Sequence, residues 1–97
     1  MARSRIERIR ERVRLGEYDM SAYATEEMAE DELTILDVES AILSGRIAQI
    51  QRDDPRGTRY LVEGVAADRR IAVAVVGRFA ARRRYLIITV YRLQGKE

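Results

Sequence analysis

Apolar positions recur with two periods along this chain, and the change falls at Gly45. Before it they return every three or four residues, the spacing of a helix face. After it they alternate, the spacing of a strand face. Ile6, Ile9 and Val13 predict an amphipathic helix over about 2–15, closed by Gly16 at positive φ. Residues 17–20 read as a connector. Ser21 is a natural N-cap for a second helix over 22–30, with Ala24 and Met28 on its buried side. Thr34, with Asp37 three residues on, is a capping box for a third helix over 35–44. Its core stripe is Ile35, Val38, Ala41 and Ile42, with Leu33 and Leu36 alongside.

Four strands follow. The first covers about 46–52, where Ile47 and Ile50 break strict alternation and point to a bulge or an edge. Asp53-Asp54-Pro55-Arg56-Gly57 is the strongest turn signal. The second strand, 58–65, sets Tyr60 and Val62 against Leu61 and Val65, and Gly64 marks a bulge or a close approach. The third, 70–79, is apolar on both faces, which implies a central place with cover on each side. The fourth, 84–92, is the most apolar run, and alternation puts Leu86, Ile88 and Val90 on the core side. Short loops favour an antiparallel meander. The expected architecture is α+β: an N-terminal helix, a short helical hairpin, then a four-stranded antiparallel β-meander with helices packed on the sheet. The expected layout is a basic helical extension over 1–16 and a single domain over 17–97.

Charge divides the chain in the same places. Residues 1–14 hold six arginines against two glutamates, residues 15–45 hold nine acids and no base, and residues 46–97 hold twelve bases against five acids. The formal net charge of +2 conceals this segregation, which bears on partners rather than on fold. The first helix has too narrow an apolar stripe to stand alone in water. It docks on its own domain, pairs with a second copy, or serves as a nucleic-acid arm.

Cysteine and histidine are both absent. That excludes disulfides, a thiol nucleophile, a conventional zinc site and the usual general base near neutral pH. No cofactor and no metal site is expected. The acidic helices lack the loop carbonyls of a calcium site. No apolar run approaches the roughly 18 residues of a membrane-spanning helix, and the N-terminus has no apolar signal core, so a cytoplasmic location is expected.

The order Ser21-Ala22, Glu27-Met28, Leu33, Asp37-Val38, Ala41-Ile42 and Gly45 is followed by the Pro55–Gly57 turn, Arg59-Tyr60, Gly64 and Ile87-Ile88-Thr89-Val90-Tyr91. Over about 18–93 this resembles the bacterial and archaeal domain-of-unknown-function family 4258. That family is similar at fold level to the RelE and ParE toxins and to small metal-independent ribonucleases. The resemblance implies a helix pair on an antiparallel sheet and an RNA-cleaving or toxin role. Members often carry His-Ala in the first family helix; here Tyr23-Ala24 stands there, and Asp31 stands where many have Arg.

Metal-independent RNA cleavage needs a base, an acid and cations on the phosphate. Arginine supplies only the cations. The candidates for proton transfer are Tyr23 and Tyr91, with Tyr60 and Glu63 beside them. Arg59, Arg78, Arg84 and Arg92 are candidate phosphate contacts, with Thr89 and Tyr60 as donors. The plainer reading makes the tyrosines half-buried sheet aromatics and Arg82-Arg83-Arg84 a solvated turn. The first expectation is therefore a binding or regulatory module on a ribonuclease-like scaffold, its histidine replaced by Tyr23. The alternatives are an endoribonuclease toxin and a structural homodimer. The expected partners are RNA, an acidic protein, or a second copy through residues 2–15 and the spare sheet face.

Overall fold

A computed structural model describes residues 3–93. The elements run α1 (Arg5–Arg14), β1 (Tyr18–Met20), α2 (Ala22–Glu30), α3 (Ile35–Ser44), β2 (Arg46–Gln51), β3 (Arg59–Val65), β4 (Ala72–Ala80) and β5 (Arg84–Arg92). The helix limits follow from their caps. Ser4, Ser21 and Thr34 each accept a backbone N–H three residues on, and Thr34 and Asp37 close a full capping box. Gly16, at φ 70°, ends α1 in a Schellman motif: Glu17 N–H donates to the Arg12 carbonyl (2.8 Å) and Gly16 N–H to that of Val13 (3.1 Å).

The sheet has five strands in the order β1-β5-β4-β3-β2, not four. β2 to β5 form the expected antiparallel meander, and β1 adds to β5 in parallel. β1 comes from residues expected to be a connector; three residues are too short for alternation to show. It is secured by contacts from far along the chain. The Arg84 guanidinium donates to both Asp19 carboxylate oxygens (3.1 and 2.8 Å) and to the Tyr18 carbonyl (2.9 Å).

β5 carries an extra residue. Val76 faces Thr89 while Gly77 faces Ile87, so Ile88 is bulged out of the ladder. Tyr85, Ile87 and Val90 are consequently the core residues, each fully buried. Leu86 and Ile88 are not on the core side, which corrects the alternation reading: a period of two counts correctly only until a residue is inserted. β2 has the expected irregularity at Ala48 and lies at a sheet edge.

All three helices pack on one face. Ile9 and Val13 of α1, Ala24 of α2, and Val38, Ala41 and Ile42 of α3 share a core with Tyr60, Val62, Val73, Val75, Tyr85, Ile87 and Val90. α1 thus docks within its own chain. Arg10 donates to the Gly45 carbonyl (2.7 Å), and the Arg8 guanidinium lies 4.5 Å from the Phe79 ring centroid. β4 is central as expected, but its cover comes from one side only. α1 does not cover the second face, because its stripe is used beside α3. Leu36 is 63% exposed and Ile35 half out of the core, since only the Val38, Ala41 and Ile42 side of α3 meets the sheet.

Gly64 is the expected close approach: a Cβ there would collide with the Ala41 carbonyl, so α3 rests directly on β3. Tyr85 is completely buried, edge-on to Phe79 at 5.3 Å, and its hydroxyl has no hydrogen-bond partner. Burial raises its phenol well above the ordinary value.

Two outcomes follow for denaturant unfolding. Gly64→Ala should lose about 2 kcal/mol or more, because backbone rather than a flexible side chain must move. Tyr85→Phe should leave stability unchanged or raise it by up to about 1 kcal/mol, since it removes an unsatisfied buried hydroxyl. A clear loss in Tyr85→Phe would mean that the hydroxyl has a partner.

Candidate functional site

The candidate site is the uncovered sheet face, and the placing of α2 leaves it open. β1 ends at Met20, so β5 has no strand neighbour beyond Ile87 on that side. Side chains complete the ladder. Ser21 Oγ donates to the Ile88 carbonyl (2.7 Å), Val90 N–H donates to Glu27 Oε1 (3.0 Å), and Arg92 N–H donates to Asp31 Oδ2 (3.0 Å). The pitches agree: four helical residues rise about 6 Å, and two strand residues span about 6.6 Å. Carboxylates at i and i+4 therefore meet strand N–H groups at j and j+2. This holds α2 beside β5 within the helical layer.

The register sets out the opposite face. At one end Gln51 pairs with Arg59, and Arg78 with Leu86 and through it Asp19; Arg59 and Arg78 are each next in their strand to the Tyr60–Gly77 pair. The next row reads Gln49, Leu61, Val76, Thr89. The third reads Arg46, Glu63, Ala74, Tyr91. No helix among the described residues lies over these rows. Ala74 is fully buried although it is outside the core cluster, so the side chains flanking it close over its methyl.

The cationic end is concentrated. Arg59 Nε is 3.5 Å from Asp54 Oδ2, and Arg56 Nε is 3.3 Å from Asp54 Oδ1. The Arg78 side chain runs against the same loop: a Cβ at Gly57 would stand 3.5 Å from Arg78 Cδ. Asp54 thus serves two guanidiniums with a third alongside, and its carboxyl is held below the usual range, chiefly by the Arg56 N–H. Like charges opposite one another weaken a sheet. An anion placed between Arg59 and Arg78 relieves that repulsion.

Of the expected residues, the structure places Arg59, Arg78, Thr89 and Tyr91 on the one open face, and Glu63 with them, the two arginines at one end and Glu63 and Tyr91 at the other. It separates the others. Tyr60 is on the core face, edge-on to Phe79 at 5.8 Å, as the plainer reading had it. Tyr23 is 61% exposed on α2, in the helical layer, and cannot act with Tyr91 across the sheet. Arg84 is on the open side, but Asp19 neutralises it and further raises its pKa. Arg92 is exposed at the strand end on the helical side. Arg46, Gln49 and Gln51 also lie on this face, without a signal in the sequence pattern. The β2 bulge decides which of them face Glu63, Leu61 and Arg59.

A cleft of about 470 Å³ lies elsewhere, along the outer side of α3 between Leu36, Leu43 and Arg69. Among the described residues, no three carboxylates are placed to hold a metal ion, and no helix is long and apolar enough to cross a membrane.

The architecture is a one-sided α+β domain with an open mixed sheet. The model of the family described as domain of unknown function (DUF4258) matches residues 20–92. The chain belongs to that family. α1 lies outside the matched stretch yet is built into the same core. No match was found among curated proteins, and none among solved structures.

Replacing Glu27 or Asp31 by Ala should each cost about 1–2 kcal/mol, by leaving a strand N–H unanswered. Native-state hydrogen exchange should quicken at Val90 in the first variant and at Arg92 in the second. Unchanged protection at both amides would show that α2 does not close this edge.

Proposed function

We propose that this chain is a binding module that holds single-stranded RNA on its open sheet face. The observation that carries the reading is that Arg59 and Arg78, each next in its strand to the Tyr60–Gly77 pair, stand at one end of a face that no described helix covers. A polyanion supplies the missing negative charge at intervals along an extended strand. Leu61, Val76 and Leu86 give bases an apolar floor, Tyr91 offers a stacking ring, and Thr89, Gln49 and Gln51 offer hydrogen bonds. The seven acids of residues 22–44 repel phosphate from the helical side, so the ligand is confined to one face.

A second reading, metal-independent cleavage by a toxin, is favoured by the row Arg46, Glu63, Ala74, Tyr91. There a carboxylate has a guanidinium on the neighbouring strand to one side and, beyond Ala74, a phenol to the other. Arg59 and Arg78 lie about 13 Å along the strands from that row. The phosphate clamp of this reaction would be Arg46, not those two. Tyr23, in the histidine's place, faces the other layer. A homodimer is a third reading, and with α1 occupied in its own core it would use the same open face.

The test is fluorescence anisotropy of a short labelled RNA in EDTA, at about 50 and 200 mM salt. Affinity should fall with salt. Arg59→Ala and Arg78→Ala should each weaken binding about tenfold and flatten the salt slope by about 0.7. Arg82→Ala, in the β4–β5 turn, should change little. Folded protein that binds no RNA at low salt contradicts the proposal. Cleavage of the bound RNA that is lost in Glu63→Gln would establish the second reading.

A further inference from the structure

We infer that the open face selects guanine, with Tyr91 as the stacking platform and Glu63 reading the edge of the base; the inference rests on the RNA reading above. A carboxylate is out of place on a surface that attracts phosphate. The rows of the open face hold two. Asp19 is tied to Arg84 at 2.8 Å. Glu63 has no ion pair within 4.0 Å among the described residues, although Arg46 stands opposite it in the register. A free acceptor-only group in such a place suits a ligand's donors.

The bases differ in what they offer it. Guanine presents two adjacent donors, N1–H and the 2-amino group, which match the two oxygens of one carboxylate. Adenine and cytosine present one amino donor next to a ring nitrogen acceptor, which a carboxylate repels. Uracil presents one N–H between two carbonyl oxygens. Only guanine makes a bidentate contact without a repulsive neighbour.

The geometry allows stacking and edge reading at once. Glu63 and Tyr91 are the two cross-strand partners of Ala74, so they stand two strand spacings apart, about 9.6 Å. The residue between them is an alanine whose methyl is covered by the flanking side chains. A purine stacked on the Tyr91 ring extends across that cover and turns its edge to β3. Arg46, beyond Glu63, offsets the carboxylate's repulsion of the adjoining phosphates. Tyr60 and Tyr85 cannot take the stacking role, because both are buried on the other side of the sheet.

The test uses pentaribonucleotides with uridine flanks and a central G, A, C, U or inosine, read by anisotropy. The G oligonucleotide should bind about tenfold or more tightly than the A oligonucleotide. Inosine, which lacks the 2-amino group, should fall between them. Glu63→Gln should bring the G-to-A ratio close to one. Tyr91→Ala should weaken every oligonucleotide, and Tyr91→Phe should restore them. Binding of all five within twofold, or a G preference that survives Glu63→Gln, overturns the guanine inference and leaves the RNA reading standing. Failure of all five to bind overturns both.

Discussion

A strand that loses its neighbour halfway leaves backbone groups that something else must answer, and β5 is such a strand. β1 pairs with it for three residues and stops. Ser21, Glu27 and Asp31 then take over, one hydroxyl and two carboxylates spaced to match the ladder. This fixes where α2 lies. With α2 beside β5, α3 against Gly64 and α1 between α3 and the β5 end, every helix is on one side. The uncovered face is the consequence of how that edge is closed.

One-sided cover also separates the charges. The acids of α2 and α3 belong to the helical layer, and two of them answer the edge of β5. The arginines of β2 to β4 remain on the sheet. Those near Asp54 share a single carboxylate, while Arg84 is matched one-to-one with Asp19. Arg84 and Asp19 therefore answer each other, and the Arg59–Arg78 end retains unspent positive potential. The distinction lies in the partners, because the residue types are the same.

Much of the helical part could be read from the chain. Ser21, Thr34 with Asp37, and Gly16 are local signals, and the limits of α2 and α3 follow from them. The meander and the Ala48 irregularity could be read for the same reason. What could not be read depends on register. β1 is too short to show a period, and its partners, β5 and the Arg84 side chain, come from the far end of the chain. The inserted Ile88 moves Leu86 off the core side and puts Tyr85 and Ile87 there. The candidate site shares this fate: Thr89 and Tyr91 were grouped correctly by alternation beyond the bulge, whereas the place of Arg46 beside Glu63 and the separation of Tyr23 from Tyr91 needed the folded sheet.

Backbone amide chemical shifts test most directly whether the open face is the ligand surface. Titrating isotopically labelled protein with a short single-stranded RNA should move the resonances of Gln49, Leu61, Glu63, Val76, Arg78, Thr89 and Tyr91, while those of α2 and α3 hold still. Shifts confined to the α3 cleft around Leu36, Leu43 and Arg69, or spread over the acidic helices, would contradict the open face as that surface.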